Sequence, residues 1–137
     1  MEKIVLPKEL RMSIKSMSFR DRTPFHQSMI VVAYREHGKQ KWVQPIDARF
    51  YMSKAGNVSC AVWVRTYQNY GLGIAKADGY GYHKASAALH HALLDMGFEI
   101  PEELSCYCKG ETAMQNTLLE IAKALGYDNC HVVWAHR

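Results

Sequence analysis

One stretch of this sequence, ADGYGYHKASAALHHALLDMG at residues 77–97, constrains the fold more than any other. A glycine-containing turn leads into a segment where apolar residues recur every three or four positions, the spacing of one helical face. That face consists of Ala85, Ala88, Leu89, Ala92, Leu93 and Met96. Gly97 is expected to end the helix. Because three of these residues are alanines, we expect the helix to lie close against a sheet, with Ser86, His90 and His91 on its other sides.

The start of this predicted helix gathers groups that attract anions. Backbone N–H groups are unpaired at a helix N-terminus, and an ammonium and an imidazole stand beside them here. The two glycines allow backbone conformations that other residues resist. The candidate ligand-binding residues are therefore Gly79, Tyr80, Gly81, Tyr82, His83 and Lys84. The alternative is that they only build the turn, with the tyrosines in the core or at a partner interface.

Strand patterns precede and follow this helix. Runs of β-branched, aromatic or alternating residues predict strands at 29–34, 42–51 and 58–67, a short fourth strand within 68–76, and a last strand at 130–134. Pro45 indicates that the second strand is an edge strand or contains a bulge. Regular alternation places Trp42 on the same side as Ile46, and Asp47 and Arg49 on the other side.

A second helix is predicted at 113–125. Its apolar face consists of Met114, Leu118, Ile121, Ala122 and Leu125, and Gly126 follows it. Thr112 and Gln115 have capping-box spacing, which places the helix start beside them. The predicted fold class is α+β: a largely antiparallel three- to four-stranded sheet with two helices packed on it and a C-terminal strand.

Residues 1–24 are predicted to form a basic N-terminal arm, and residues 25–137 a single α+β domain. The arm either forms one short helix, from the spacing of Leu6, Leu10, Ile14 and Met17, or has no regular structure. Six basic and three acidic residues in positions 1–22 give +3 of the chain's formal +4. Such an arm binds nucleic acid or an acidic partner, or is an ordinary solvated terminus. The candidate nucleic-acid-binding residues are Lys8, Arg11, Lys15, Arg20 and Arg22.

Composition bounds the class of protein. No run of eighteen apolar residues is present and the N-terminus is charged, so we expect no membrane span and a cytoplasmic location. The four cysteines are expected to be thiols. Cys106 and Cys108 form a C-x-C pair without a second pair at zinc-site spacing, so no metal site is assigned. No cofactor is expected.

The enzyme motifs with a known mechanism are missing from the sequence. The loop at 78–84 matches neither the Walker A nor the dinucleotide-binding pattern, and the chain contains neither G-x-S-x-G nor H-E-x-x-H. We assign no catalytic residue and expect a binding or regulatory protein with a nucleic acid or host protein as partner. The alternative is a small acyl- or phosphoryl-transferase that holds a phosphorylated donor at residues 79–84. A Cys-His pair, from Cys106 or Cys130 with His83 or His131, would require the fold to bring them together.

Two resemblances concern the same region. Three strands followed by a glycine turn, Lys84 and an alanine-rich helix resemble the end of a double-stranded-RNA-binding domain, an analogy of topology over about twenty residues. The string Gly81-Tyr82-His83-Lys84-Ala85-Ser86-Ala87-Ala88-Leu89 resembles small uncharacterised phage, prophage and plasmid proteins with a G-Y-[DH]-K-x-S-A-A helix start. This second resemblance covers residues 58–97, and an acidic residue is more common there at the position of His83. It implies an accessory or host-interaction role.

Overall fold

The computed structural model describes residues 3–15, 22–37, 40–53 and 55–136. Within them, five strands form one sheet in the order β4-β3-β2-β1-β5, with every neighbouring pair antiparallel. The strands are β1 (Arg22–His37), β2 (Gln40–Ser53), β3 (Asn57–Arg65), β4 (Tyr70–Asp78) and β5 (Asp128–His136). The predicted antiparallel sheet and C-terminal strand are confirmed, and β5 adds to the sheet beside β1.

Two helices cover one face of the sheet. Helix α1 (Tyr82–Met96) contacts β3 and β4, helix α2 (Glu111–Ala124) contacts β5, β1 and β2, and a 3-10 turn (Glu102–Leu104) lies between them. Both helices share one core cluster with alternate residues of the strands. The α+β fold class predicted from the sequence is therefore confirmed.

The contact between α1 and β4 is unusually close. A Cβ atom added at Gly73 would overlap the backbone carbonyl of Ala92, so only a glycine fits opposite this turn of the helix. The prediction that the alanine face lies close against a sheet is confirmed. Ser86 was expected on another side, and that is wrong: it is fully buried, donates to the carbonyl of His83 at 2.8 Å and accepts the N–H of Gly110 at 3.1 Å. A small hydroxyl fits there because its donor and acceptor capacity are both satisfied.

The helix ends follow backbone conformation. Gly97 has a φ of 111° and its N–H bonds the carbonyl of Leu94, which confirms the predicted end of α1. The predicted start of α2 at a Thr112 capping box is wrong. The helix begins at Glu111 after Gly110, which has a φ of 94° and no side-chain cap. The turn between the helices therefore sets this start, because Gly110 is held by Ser86.

The bulge that Pro45 indicated is present in β2. Val31 pairs with Ile46 but Ala33 pairs with Val43, so two residues of β2, Gln44 and Pro45, lie opposite one residue of β1. Pairing with β3 begins only at Ile46. Since proline has no N–H to donate, the bulge lies where β2 separates from β3.

This bulge reverses the alternation of the residues before it. Val43 packs against the helix-covered core, and Trp42 projects from the opposite face with Asp47 and Arg49. The prediction that Trp42 shares a side with Ile46 is wrong, because one inserted residue exchanges the two faces of a strand.

The predicted helix in the arm is not found in the described residues 3–15. The segment is extended: Val5 exchanges backbone hydrogen bonds with Glu99, and Arg11 donates its N–H to the carbonyl of Met96. Ile4 is buried in the core. These partners satisfy the backbone without helical bonds. β1 begins at Arg22, inside the range predicted for the arm, and the division into arm and domain stays a prediction.

Between β3 and α1 the structure inserts the whole strand β4, and in the described part of the chain no helix precedes β1. The analogy with the end of a double-stranded-RNA-binding domain is thus limited to the turn and the helix start. None of the described helices is long and apolar enough to cross a bilayer.

Candidate functional site

The loop at 78–84 is tied to the turn between β2 and β3. The N–H of Gly79 donates to the carbonyl of Gly56 at 2.8 Å, and the hydroxyl of Tyr80 donates to the carbonyl of Ser53 at 2.8 Å. Gly79 has a φ of 101° and Gly81 a φ of 93°, values that side chains rarely adopt. The predicted requirement for glycine in this turn is therefore confirmed.

The start of α1 presents two basic side chains. His83 and Lys84 are exposed, Gly81 caps the helix without a side-chain hydrogen bond, and the first turn contains no acidic residue. The ring of Tyr82 packs edge-on against Trp134 of β5, with centroids 5.9 Å apart. The two tyrosines thus hold the turn, which is one of the readings the sequence left open. A ligand at His83 and Lys84 stays a prediction.

Two basic residues of the arm lie at the other end of α1. The guanidinium of Arg11 lies beside Gly97, and the ammonium of Lys15 is 3.3 Å from the carboxylate of Asp95. Since α1 has 15 residues, its ends are about 21 Å apart at a rise of about 1.5 Å per residue. Arg11 and Lys15 do not form one surface with Lys84.

The other three candidate nucleic-acid-binding residues of the arm are Lys8, Arg20 and Arg22. Lys8 is exposed. Arg20 lies outside the described residues. The backbone of Arg22 pairs with Ser53, whose carbonyl accepts the Tyr80 hydroxyl. Among the described candidate residues of the arm, Arg22 is thus linked to the loop through Ser53.

A well-formed cleft lies elsewhere, on the sheet face away from the helices. Its volume is about 700 Å³ and it opens where the bulge separates β2 from the end of β3. Its lining combines two tryptophans, two arginines and an acidic residue: Trp42, Trp63, Arg49, Arg65 and Asp47. None of these five residues is among the candidate site residues predicted from the sequence.

Aromatic and cationic groups in this cleft are held in place by neighbours. The guanidinium carbon of Arg49 lies 4.7 Å from the ring centroid of Trp63, a cation–π contact. The Nε of the same guanidinium donates to Oδ2 of Asp47 at 3.2 Å, and its Nη2 lies 3.2 Å from the same oxygen as an ion pair. The carboxylate thus orients the arginine, and the arginine orients the indole.

Trp42 forms the other wall and is 59% exposed. Its ring is edge-on to Tyr34, with centroids 5.3 Å apart, and to His131, with centroids 5.9 Å apart. At the end of the cleft, the hydroxyl of Tyr127 donates to the carbonyl of Arg65 at 2.8 Å. An exposed aromatic surface is thus supported from behind by packed side chains.

The thiols have the properties of structural cysteines. All four cysteines are free, and Cys60 and Cys106 are buried. Burial raises the pKa of Cys106 to about 11 and raises the pKa of Cys60 strongly. Both therefore remain protonated at neutral pH, which disfavours a nucleophilic role. Cys130 is partly buried, and burial followed by the charge of Asp128 raises its pKa as well.

One Ser-His contact is present between the helices. Ser105 Oγ lies 3.2 Å from His90 Nδ1, and burial, followed by His91 and Lys109, lowers the pKa of His90. Ser105 is buried and its oxygen also accepts the N–H of Tyr107, so it shapes the turn after the 3-10 segment. In the part of the chain that the structure describes, no group of three His, Cys, Asp or Glu side chains could hold a metal ion.

One feature of the sequence, the bulge indicated by Pro45, points to the position of the cleft. Pro45 indicated a bulge, and shifting the alternation by one residue before it places Trp42 on the face of Arg49, Trp63 and Arg65. Comparisons of the whole chain with protein-family models, with curated proteins and with solved structures found no match.

Proposed function

We propose that this protein binds single-stranded nucleic acid in the cleft between β2 and β3. The observation that carries the proposal is the joint placement of Trp42, Trp63 and two arginines on the open face of an antiparallel sheet. Proteins that bind single strands combine aromatic rings, on which bases stack, with cationic groups along the backbone path. The proposal keeps the binding role that the sequence predicted but moves the main contact surface from the loop at 78–84 to the sheet.

Each side chain has a role in this proposal. The exposed ring of Trp42 stacks on one base, and the Trp63 ring, already oriented by Arg49, stacks on another. The exposed Arg65 at the cleft end contacts a phosphate. Asp47 keeps the Arg49 guanidinium in place through its Oδ2. Because every base has a π face, the sequence preference is weak.

A duplex fits this surface less well, because its bases are already stacked on each other and cannot lie on the tryptophan rings. The formal net charge of +4 supports binding to a polyanion at low salt. The accessory role in mobile elements implied by the phage and plasmid resemblance is compatible with such a binder, and it remains part of the proposal.

The test is fluorescence anisotropy with a labelled single-stranded oligonucleotide of mixed sequence and the matching duplex. We expect the single strand to bind more tightly and to quench tryptophan emission. Trp42→Ala should weaken binding about 10- to 100-fold, since a stacked base contributes about 1–3 kcal/mol. Trp42→Phe should retain most of the affinity. Arg65→Gln should weaken binding and reduce its salt dependence.

The loop at 78–84 supplies the matched control. The double variant His83→Ala with Lys84→Ala should leave single-strand affinity nearly unchanged while the protein stays folded. If this variant loses binding and Trp42→Ala does not, the anion site predicted at the helix start is the functional one. Binding of a phosphorylated donor that the double variant abolishes would favour the transferase alternative. Retention of a host protein after nuclease treatment, with no oligonucleotide binding, would overturn the proposal.

A further inference from the structure

Another depression lies where the cleft between β2 and β3 ends. Its volume is about 330 Å³, and it lies between the turn that joins β3 to β4 and the extended arm. Thr66 lines both the cleft and this depression. The residue before it, Arg65, is exposed at the end of the cleft. The two cavities are therefore adjacent on the surface.

The floor of the depression is apolar and fixed in position. It is formed by side chains that also pack on the hydrophobic core, namely Leu6, Leu10 and Leu125. The backbone of the arm is held on both sides of this floor, since Val5 exchanges hydrogen bonds with Glu99 and Arg11 donates its N–H to the carbonyl of Met96. An apolar lining with few polar groups, in a volume of this order, is typical of pockets for small planar groups.

Tyr67 lies on the rim of the depression and is 75% exposed. The turn that carries it is fixed by its neighbours. The N–H of Thr66 donates to the carbonyl of Asn69 at 2.7 Å, and the hydroxyl of Thr66 accepts the N–H of Asn69 at 3.0 Å. Because these bonds do not involve the side chain of Tyr67, the turn presents a large aromatic ring to solvent on a rigid backbone. Such a ring binds at a low cost in conformational entropy.

Lys8 supplies the charge of the depression. Among the described residues that line it, Lys8 is the one with a charged side chain, and it is exposed. Arg65 lies on the cleft side of Thr66, so each cavity has a cation close to the residue that the cavities share. From Trp63 to Tyr67 the chain advances four residues, which is at most about 13 Å at about 3.3 Å per residue. Aromatic rings and cations thus continue from the cleft into the depression.

We propose that one further base of the bound single strand lies in this depression, stacked on Tyr67, with Lys8 in contact with the adjoining phosphate. This rests on the proposed function, since the strand reaches the depression from the cleft past Arg65 and Thr66. The apolar floor and the exposed ring contact the π face of the base. The ammonium of a lysine binds a phosphate as a point charge. Lys8 is among the residues that the sequence predicted to bind nucleic acid, and the depression gives it a specific role.

The test compares two single-stranded oligonucleotides of mixed sequence by fluorescence anisotropy. One of about three nucleotides is long enough for the two tryptophans, and one of about twelve is within the range that single-strand-binding domains cover. Tyr67→Ala should weaken binding of the longer one about 5- to 100-fold, as expected for the loss of one stacked base, and leave the shorter one unchanged. Tyr67→Phe keeps the ring and should retain the affinity. The matched control is Tyr70→Ala, at a side chain that is 55% exposed and outside both cavities, and it should bind like the parent.

Salt dependence tests the contact of Lys8 separately. Lys8→Gln should reduce the slope of the logarithm of affinity against the logarithm of salt concentration by about one for the longer oligonucleotide. The slope for the shorter one should not change. Lys3→Gln removes the same charge from an exposed position of the arm outside both cavities, and it should leave both slopes unchanged.

The two oligonucleotides separate a failure of this inference from a failure of the proposed function. If Trp42→Ala weakens both and Tyr67→Ala weakens neither, the strand ends within the cleft, which overturns this inference and leaves the proposed function standing. Equal losses with Tyr67→Ala and Tyr70→Ala would overturn it as well, because the effect would then not belong to the depression. If neither oligonucleotide binds, or Trp42→Ala leaves both affinities unchanged, the proposed function fails and this inference fails with it.

Discussion

The two edges of the sheet differ in whether their outward backbone groups have hydrogen-bond partners. At the β4 edge, Leu72 donates its N–H to the carbonyl of Arg11 at 3.1 Å and accepts the N–H of Ser13 at 2.6 Å, and Ile74 donates to Oδ2 of Asp95 at 3.1 Å. At the β5 edge, Val132 and Trp134 have no such partner in the described residues. Both edges have the same strand geometry, so the difference comes from side chains and a neighbouring segment. Edge protection is therefore local, and each edge can be altered separately.

The largest effect is expected where α1 lies on β4. Gly73→Val should destabilise the protein by about 3 kcal/mol, because the new side chain overlaps a backbone carbonyl that cannot move alone. Urea unfolding measures the free-energy change. The control is Ala135→Val in β5, at a half-buried position, which should change stability by less than about 1 kcal/mol. Equal losses at both positions would show that the close packing of α1 is not specific to the β4 edge.

A smaller effect is expected from removing the carboxylate that caps Ile74. Asp95→Ala should cost about 1.5 kcal/mol, since it leaves the Ile74 N–H without its charged acceptor and removes the partner of Lys15. Hydrogen exchange at the Ile74 amide should become faster, while exchange at Val132 stays the same. Asp95→Asn retains an acceptor oxygen and should lose less. If exchange at Ile74 does not change in Asp95→Ala, the carboxylate does not protect this edge.

Acid should weaken the same contact by less than the deletion does. Partial burial raises the pKa of Asp95. Hydrogen bonds from Ser13, the Ile74 N–H and Lys15, together with the charge of Lys15, lower this pKa by more than burial raises it. The net pKa is therefore below the ordinary value of 3.8. The stabilisation is complete above 3.8 and is lost as the pH falls through the lowered pKa. A protonated carboxyl can still accept an N–H. The stability difference between the parent and Asp95→Asn should therefore shrink below pH 4, measured by urea unfolding, and a constant difference would contradict this.

The smallest effect is expected from the ion pair at the surface. The side chain of Lys15 is 62% exposed and that of Asp95 is 19% exposed. Water and salt screen such a pair, so Lys15→Ala should change the unfolding free energy by no more than about 0.5 kcal/mol. Protection of the Ile74 amide should remain. Loss of that protection would mean that Lys15, rather than the backbone contacts of residues 11–13, holds the arm on β4.

The fold could be predicted from the sequence where the spacing of apolar residues and glycines is compatible with only one local structure. The alanine face of α1, its end at Gly97 and the turn at Gly81 follow from local spacing and backbone freedom. The arm could not, because Leu6 and Leu10 fit both a helical repeat and an extended segment with alternate residues inward. The contacts with Glu99 and Leu72 decide between them, and these are distant in sequence.

Pro45 indicated a bulge, but the candidate cleft does not follow from that indication alone, for a related reason. Trp42 and Trp63 are far apart in sequence, and a regular alternation assigns them to opposite faces. The bulge at Gln44 and Pro45 brings them to one side, and its position depends on the pairing of β2 with both neighbours. The loop at 78–84 was correctly identified as a turn that needs glycine, but local sequence does not distinguish an anion site from a well-built helix start.

The position of β1 between β2 and β5 has a consequence for synthesis on the ribosome. Ile30 pairs with Val133, so 103 residues must follow Ile30 before its second neighbour exists. At about 5–20 residues per second, β1 waits roughly 5–20 s with one side of its backbone exposed. During that interval residues Met29–Val31, which are buried in the folded protein, lack their final partner strand. Synonymous codons that slow translation between β4 and β5 should therefore increase the demand for chaperones without changing the finished protein.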